Sequence, residues 1–316
     1  MSFRFRHTYP LFRRVALLSL ALVLLAGLPA AAQEPPKLSF PPSEGTTWGE
    51  AADLGDGQIQ TFITLDQNGN PSLLGVYFTE SALSNLPETP SDGQWDIVDA
   101  SGTVIMPCCG HELALKFPEE ADSTLFKHFV ANWNPTGHVP PGVYDVPHFD
   151  FHFYLITEEE REAIAPATAE TMCSVPNPPD AGGGEHPVPV TCETFEQGMI
   201  PLPDDQMPPG YLLVDAVEPR MGNHMINTQA PELAGEPFTH TWIYGAFGGR
   251  VTFFEPMITL AFLEERNEEV CTPIAVPEAM PEPGFYPTEY CIRYLAGDDE
   301  GSGAFVVSLE KFVEYN

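Results

Sequence analysis

The stretch Pro147-His148-Phe149-Asp150-Phe151-His152-Phe153-Tyr154 decides the reading of this chain. Histidine and aspartate alternate with phenylalanine, which is the two-residue period of a half-buried β-strand. On a strand His148, Asp150 and His152 share one face, while Phe149, Phe151 and Phe153 bury the other. The polar face is then a pre-aligned row of metal-binding or proton-transferring groups.

Outward from that strand, short alternating runs dominate and helical periodicity is scarce. The 34 prolines and 26 glycines punctuate the chain every few residues. Gln58 to Leu65 and Ser72 to Thr79 flank Asp66-Gln67-Asn68-Gly69-Asn70-Pro71, a hairpin pattern, and Thr239 to Phe247 and Val251 to Leu263 flank Gly248-Gly249 likewise. Further strands are expected at Trp95 to Asp99, Thr103 to Met106, Glu112 to Phe117, Leu125 to Asn132, Phe149 to Ile156 and Tyr211 to Val217. Short helices are expected around Glu158 to Ala165 and near Glu80 to Leu86. The fold class is therefore all-β, a β-sandwich or barrel with few short helices. Pro140-Pro141-Gly142 before His148 is echoed by Pro208-Pro209-Gly210 before His224, as two related β units predict. The boundaries read as a first unit at 45–165, a Pro/Gly-rich connection at 166–205 and a second unit at 206–316.

The N-terminus has the order of an export signal. Arg4, Arg6, Arg13 and Arg14 precede the apolar run Val15 to Leu28, which leads into Pro29-Ala30-Ala31-Ala32. That run is shorter than the ~20 residues of a membrane span. Cleavage after Ala32 makes 1–32 the signal peptide and 33–44 a flexible linker, and leaves no integral membrane segment. It also leaves 9 basic residues against 45 acidic ones, a formal charge of −36. Such a surface repels phosphate backbones, so nucleic-acid binding is excluded as a function class. With 43% hydrophobic residues the chain is too apolar for a disordered acidic protein.

Six cysteines fit the oxidising environment of an exported protein, periplasmic or extracellular. Cys173 pairs with Cys192, and Cys271 with Cys291, each bridge closing a loop worth roughly 3 kcal/mol in chain entropy. Cys108-Cys109-Gly110-His111 invites a metal reading, but no second Cys pair at zinc-ligand spacing accompanies it, and adjacent cysteines seldom bridge each other.

An ion needs two to four convergent donors, so ligands from elsewhere must join the row. The candidates are His224, after the turn at Gly222, and Glu255, an isolated acid inside Val251-Thr252-Phe253-Phe254-Glu255-Pro256-Met257-Ile258. A buried acid in an apolar run is costly unless partnered; the other reading of Glu255 is an outward-facing residue at a strand end before Pro256. His138, in Asn134-Pro135-Thr136-Gly137-His138, could join the site but reads first as a solvated turn histidine, and His240 reads as a residue on the exposed face of its strand. The metal set is thus His148, Asp150, His152, His224 and Glu255. No Gly-x-Ser-x-Gly elbow occurs, and Gly182-Gly183-Gly184 lies in a Pro-rich loop without a following Lys.

Asn134-Pro135 with Gly137-His138, Pro140-x-Gly142-x-Tyr144, the His148 to Tyr154 stretch, Met221-Gly222 with His224, and Phe254-Glu255-Pro256-Met257-Ile258-Thr259 carry a resemblance. Over about residues 45 to 265 the chain resembles a family of poorly characterised exported bacterial proteins. The resemblance implies tandem cupin-like β units and self-association as a homo-oligomer, with no established activity. Cupins place a His-x-His pair and a Glu on inward-facing strands, whereas this sequence has His148-x-x-x-His152 with Asp150 between.

Three function classes follow. One is an exported protein binding a divalent ion (zinc, manganese, copper or iron) or a small-molecule ligand. Another is an envelope structural or interaction protein whose histidine row is a core hydrogen-bond network. The third is a metal-dependent enzyme using Asp150 and His152 as acid and base.

Overall fold

Phe149, Phe151 and Phe153 are fully buried, and two sheets close around them. The computed structural model describes residues 40–177, 183–297 and 303–316. The expected signal peptide, residues 33–39 of the expected linker and residues 178–182 of the expected connection lie outside the described residues. In chain order the strands are β1 (Thr46–Leu54), β2 (Gly57–Leu65), β3 (Pro71–Thr79), β4 (Ile97–Val98), β5 (Val104–Met106), β6 (His111–Lys116), β7 (His128–Asn134), β8 (His148–Tyr154), β9 (Cys173–Pro176) and β10 (Glu185–Val188). They continue as β11 (Tyr211–Leu213), β12 (Asn223–Asn227), β13 (His240–Phe247), β14 (Arg250–Thr259), β15 (Val270–Pro273), β16 (Gly284–Tyr286), β17 (Glu289–Leu295), β18 (Ala304–Glu310) and β19 (Val313–Tyr315). The α-helices are short: α1 (Glu158–Glu162), α2 (Cys192–Gly198) and α3 (Leu260–Glu264). The all-β class expected from the alternation holds.

One large sheet has six strands in the order β1-β2-β3-β18-β17-β15, the other seven in the order β11-β12-β13-β14-β8-β7-β6. Residues Ser39–Asn316 form one unit, and each sheet takes strands from both sides of residues 166–205. The expected boundaries therefore do not separate the two sheets. The inner face of the seven-stranded sheet presents Phe129, Phe151, Met225, Trp242 and Phe254 to Ile63, Leu74, Val76 and Phe78 of the other sheet. Phe78 and Phe151 meet across the layers at 5.9 Å. Each buried phenylalanine contributes roughly 1.5–3 kcal/mol, and a one-residue slip of β8 would turn all three rings outward and drive two histidines and an aspartate into the core. The register is fixed for that reason.

Local chemistry closes the predicted turns. Asp66 Oδ1 accepts from the backbone N–H groups of Asn68 and Asn70 at 2.8 and 2.9 Å, holding the β2–β3 hairpin. Thr157 and Glu160 form a reciprocal capping box on α1. The expected strand Val251 to Leu263 stops at Thr259, because the Thr259 hydroxyl accepts from Phe262 N–H at 3.1 Å and starts α3. Near Glu80 the helix is a 3-10 turn, Glu80–Leu83.

The Cys173–Cys192 and Cys271–Cys291 pairs are joined as expected, at S–S distances of 2.00 and 2.05 Å. Cys108 and Cys109, whose role the sequence leaves open, are also joined, at 2.02 Å, so neither offers a free thiolate for the metal reading of Cys108-Cys109-Gly110-His111. Among the described residues no helix is long and apolar enough to cross a membrane.

Candidate metal centre

β8 lies between β7 and β14, so its polar face is walled by strands on both sides. Asn134 stands opposite His148, Asn132 opposite Asp150 and Val130 opposite His152. On the other side Phe254 pairs with Phe153 and Met257 with Asp150, which sets Glu255 across from His152. Strand β14 runs straight through Pro256, so Glu255 is a buried mid-strand residue and not a strand end. Pro256 has no N–H to give the ladder, and pairing with β8 lapses beside Glu255. Next across the sheet, Glu255 pairs with Ile243 and Gly245 with His224, bringing His224 to the same face. This face points away from the core between the sheets and is covered by connecting segments that carry Tyr144, Glu218 and Phe238.

The donors fall into two groups. In the first, His148 Nε2 lies 3.0 Å from His138 Nε2 and 3.1 Å from Asp150 Oδ1, and His138 Nε2 lies 3.4 Å from Asp150 Oδ2. Asn134 Nδ2 donates to Asp150 Oδ2 at 2.7 Å and fixes the carboxylate. In the second, Glu255 holds His152 Nε2 at 3.6 Å and His224 Nε2 at 3.9 Å, one to each oxygen. In each group one ligand atom per residue lies within 4.8 Å of the others.

The tautomers follow from the backbone. Nδ1 of His138, His148 and His224 faces the carbonyl oxygens of Val139, Val146 and Ala216 at 2.9, 2.6 and 2.8 Å. A carbonyl only accepts, so each Nδ1 carries the hydrogen and each Nε2 turns toward the carboxylates. This is how metal-ligating histidines are held by the groups behind them. His152 differs: both its ring nitrogens lack a hydrogen-bond partner, as do Asp150 Oδ1 and Glu255 Oε2.

Electrostatics separates the two carboxylates. Burial pushes Asp150 upward, but His148 and His138 outweigh it and hold the carboxyl well below its usual range. Burial, with Asp150 adding repulsion, raises Glu255 well above the usual carboxylate range. Burial opposes a charge on His138, yet Asp150 beside it raises that imidazole to about 9. Without an ion, a proton on His138 therefore sits where three donors converge. Burial drives His152 down to about 3 and keeps it neutral. Glu218, near His138, is pushed up to about 7 by burial. Further along the face Glu112 is paired with Arg161, which lies 5.1 Å over the Tyr154 ring, and stands 3.9 Å from Arg220.

All five residues expected to form the site share this face, divided between two groups. His138 belongs to the first group, which corrects its reading as a solvated turn residue; its side chain is 38% exposed and is the group's opening to solvent. Gly137 places it: φ is +67°, and a Cβ there would lie 2.1 Å from the Tyr144 carbonyl oxygen. The sequence holds that cue only as Gly137-His138 directly after a strand. His240 is corrected too: it shares the inner face with Trp242, and its Nδ1 meets the Tyr290 hydroxyl at 2.7 Å.

Comparison with family models, with curated proteins and with solved structures finds no match to this chain.

Proposed function

We propose that this chain is an exported protein that binds a divalent metal ion on the polar face of β8, with His138 Nε2, His148 Nε2 and the Asp150 carboxylate as its protein ligands nearest solvent. One observation carries the reading: three imidazoles commit Nδ1 to backbone carbonyls and converge through Nε2 on buried carboxylates. The spacing agrees. Donors bonded to one ion at about 2.0–2.2 Å stand roughly 2.8–3.6 Å apart in octahedral or tetrahedral geometry, and the separations of 3.0 to 3.4 Å in the first group fall inside that range.

A hydrogen-bond network that only stiffened the core would pair its own members. The unpartnered ring nitrogens of His152 and the unpartnered Glu255 Oε2 argue against that use. Three protein ligands leave coordination positions for water or a small-molecule ligand, entering past His138. Nitrogen and carboxylate donors in this ratio suit zinc, manganese, copper and iron alike. The export reading is supported by the basic-apolar-small order of residues 1–32 and by the three cysteine pairs.

Elemental analysis after incubation with each of the four metals and removal of excess tests the proposal. The mature protein should retain at least one equivalent of at least one metal, and His138→Gln/His148→Gln should retain less. Under a tenth of an equivalent of every metal would overturn it.

A further inference from the structure

We infer that the same face holds a second cation position, formed by His152, His224 and Glu255, beside the one formed by His138, His148 and Asp150. The inference rests on the metal-binding reading above and divides the row between two ions.

A single ion cannot serve the whole row. Neighbouring residues on one face of a strand are about 7 Å apart, whereas two nitrogen or oxygen donors on one ion are separated by at most about 4.4 Å, twice the longest such bond to zinc. His148 and His152 are two such steps apart on β8, so their ring nitrogens reach a common ion only by abandoning their present partners. His148 is tied to Val146 and His138, and His152 lies against Glu255.

The second group has the features of a cation position in its own right. Its nitrogen–oxygen separations of 3.6 and 3.9 Å, one to each Glu255 oxygen, lie within the roughly 4.2 Å that two donors at about 2.1 Å from one ion can span. Both ring nitrogens of His152 and Glu255 Oε2 have no hydrogen-bond partner although both residues are buried. Leaving buried polar atoms unpaired is costly, and one cation between His152 Nε2 and the Glu255 carboxylate relieves two of the three. No lysine or arginine forms an ion pair with Glu255 among the described residues; Arg161 and Arg220 lie against Glu112 instead. His224 is held ready by its Nδ1–H bond to Ala216. A divalent ion here also makes sense of an acid in mid-strand among Phe253, Phe254 and Met257.

The mature full-length protein titrated with zinc alone, by equilibrium dialysis with elemental analysis, tests this. Wild type should saturate at two equivalents, His138→Gln/His148→Gln at one and His152→Gln/Glu255→Gln at one. Should the buried pair fail to fold, His224→Gln, at the least buried residue of the group, should likewise lose one equivalent. Saturation of wild type at one equivalent overturns the second position and leaves the metal-binding reading standing; no zinc at all overturns both. A folded variant of either group that loses every equivalent overturns the independence of the two positions.

Discussion

Replacing Asp150 with Asn keeps the shape of the side chain and removes the one charge that His138 and His148 share. The Asn134 amide still finds an oxygen where it now reaches Asp150 Oδ2 at 2.7 Å, and Phe149 and Phe151 keep their packing, so the variant should fold. An ion supplied at a hundred times its dissociation constant stabilises the wild-type protein by about 2.7 kcal/mol. At roughly 2.1 cal/mol/K of unfolding entropy per residue, a chain of about 280 residues should melt about 5 °C higher with the ion than without. In Asp150→Asn the carboxylate ligand of that ion is gone, and its share of the shift should shrink to under about 1 °C at the same metal concentration if affinity falls a hundredfold, while any shift from an ion at His152, His224 and Glu255 stays. Differential scanning calorimetry with and without a chelator reads both values. A wild type whose melting point ignores zinc, manganese, copper and iron, or an Asp150→Asn protein that keeps the full shift, would refute the reasoning.

Other consequences concern the same face. His128 is buried against Tyr154 with neither ring nitrogen partnered, and burial holds it at about 3, as it does His152. Because the unfolded histidines take up protons near 6.5 and the folded ones do not, stability should fall as pH drops below 6.5; His128→Phe should recover about 2 kcal/mol at pH 5 in urea unfolding. His138 has the opposite sign: its raised value stabilises the ion-free protein below pH 6.5, and that contribution should disappear as pH rises through about 9, seen as a slope that His138→Gln abolishes. Arg161→Met strands Glu112 with only Arg220 at 3.9 Å, so it should cost about 3 kcal/mol, the low end for a broken buried pair, measured by chemical denaturation. Gly137→Ala forces a residue with a Cβ into φ +67° against the Tyr144 carbonyl; a loss of about 1–3 kcal/mol in thermal melts, with weakened metal retention, is expected.

The strand at 148–154 was legible because phenylalanine and polar residues alternate without a break, and the hairpin at 66–71 because Asp66 and its Asn and Gly neighbours can close only a turn. The two longer cysteine loops were legible from spacing. Sheet membership was not: β3 pairs with β18 across more than two hundred residues, and alternation says which face is buried but not which strand lies next to it. Glu255 was found as a lone acid among apolar residues, a cost that demands a partner. His138 was misread because turn histidines are commonly solvated; only the fold of residues 134–146 over β8 turns its Nε2 inward. The division of the row into two groups depends on rotamers and backbone carbonyls, Val146 and Ala216 among them, which a strand period does not encode.

The most direct measurement is an anomalous difference map from crystals of the mature protein soaked in zinc, with data on both sides of the zinc edge. A peak is expected about 2.0–2.2 Å from His138 Nε2, His148 Nε2 and an Asp150 oxygen. Zinc-loaded crystals with no peak on this face of β8, or with zinc only at surface carboxylates, would contradict it.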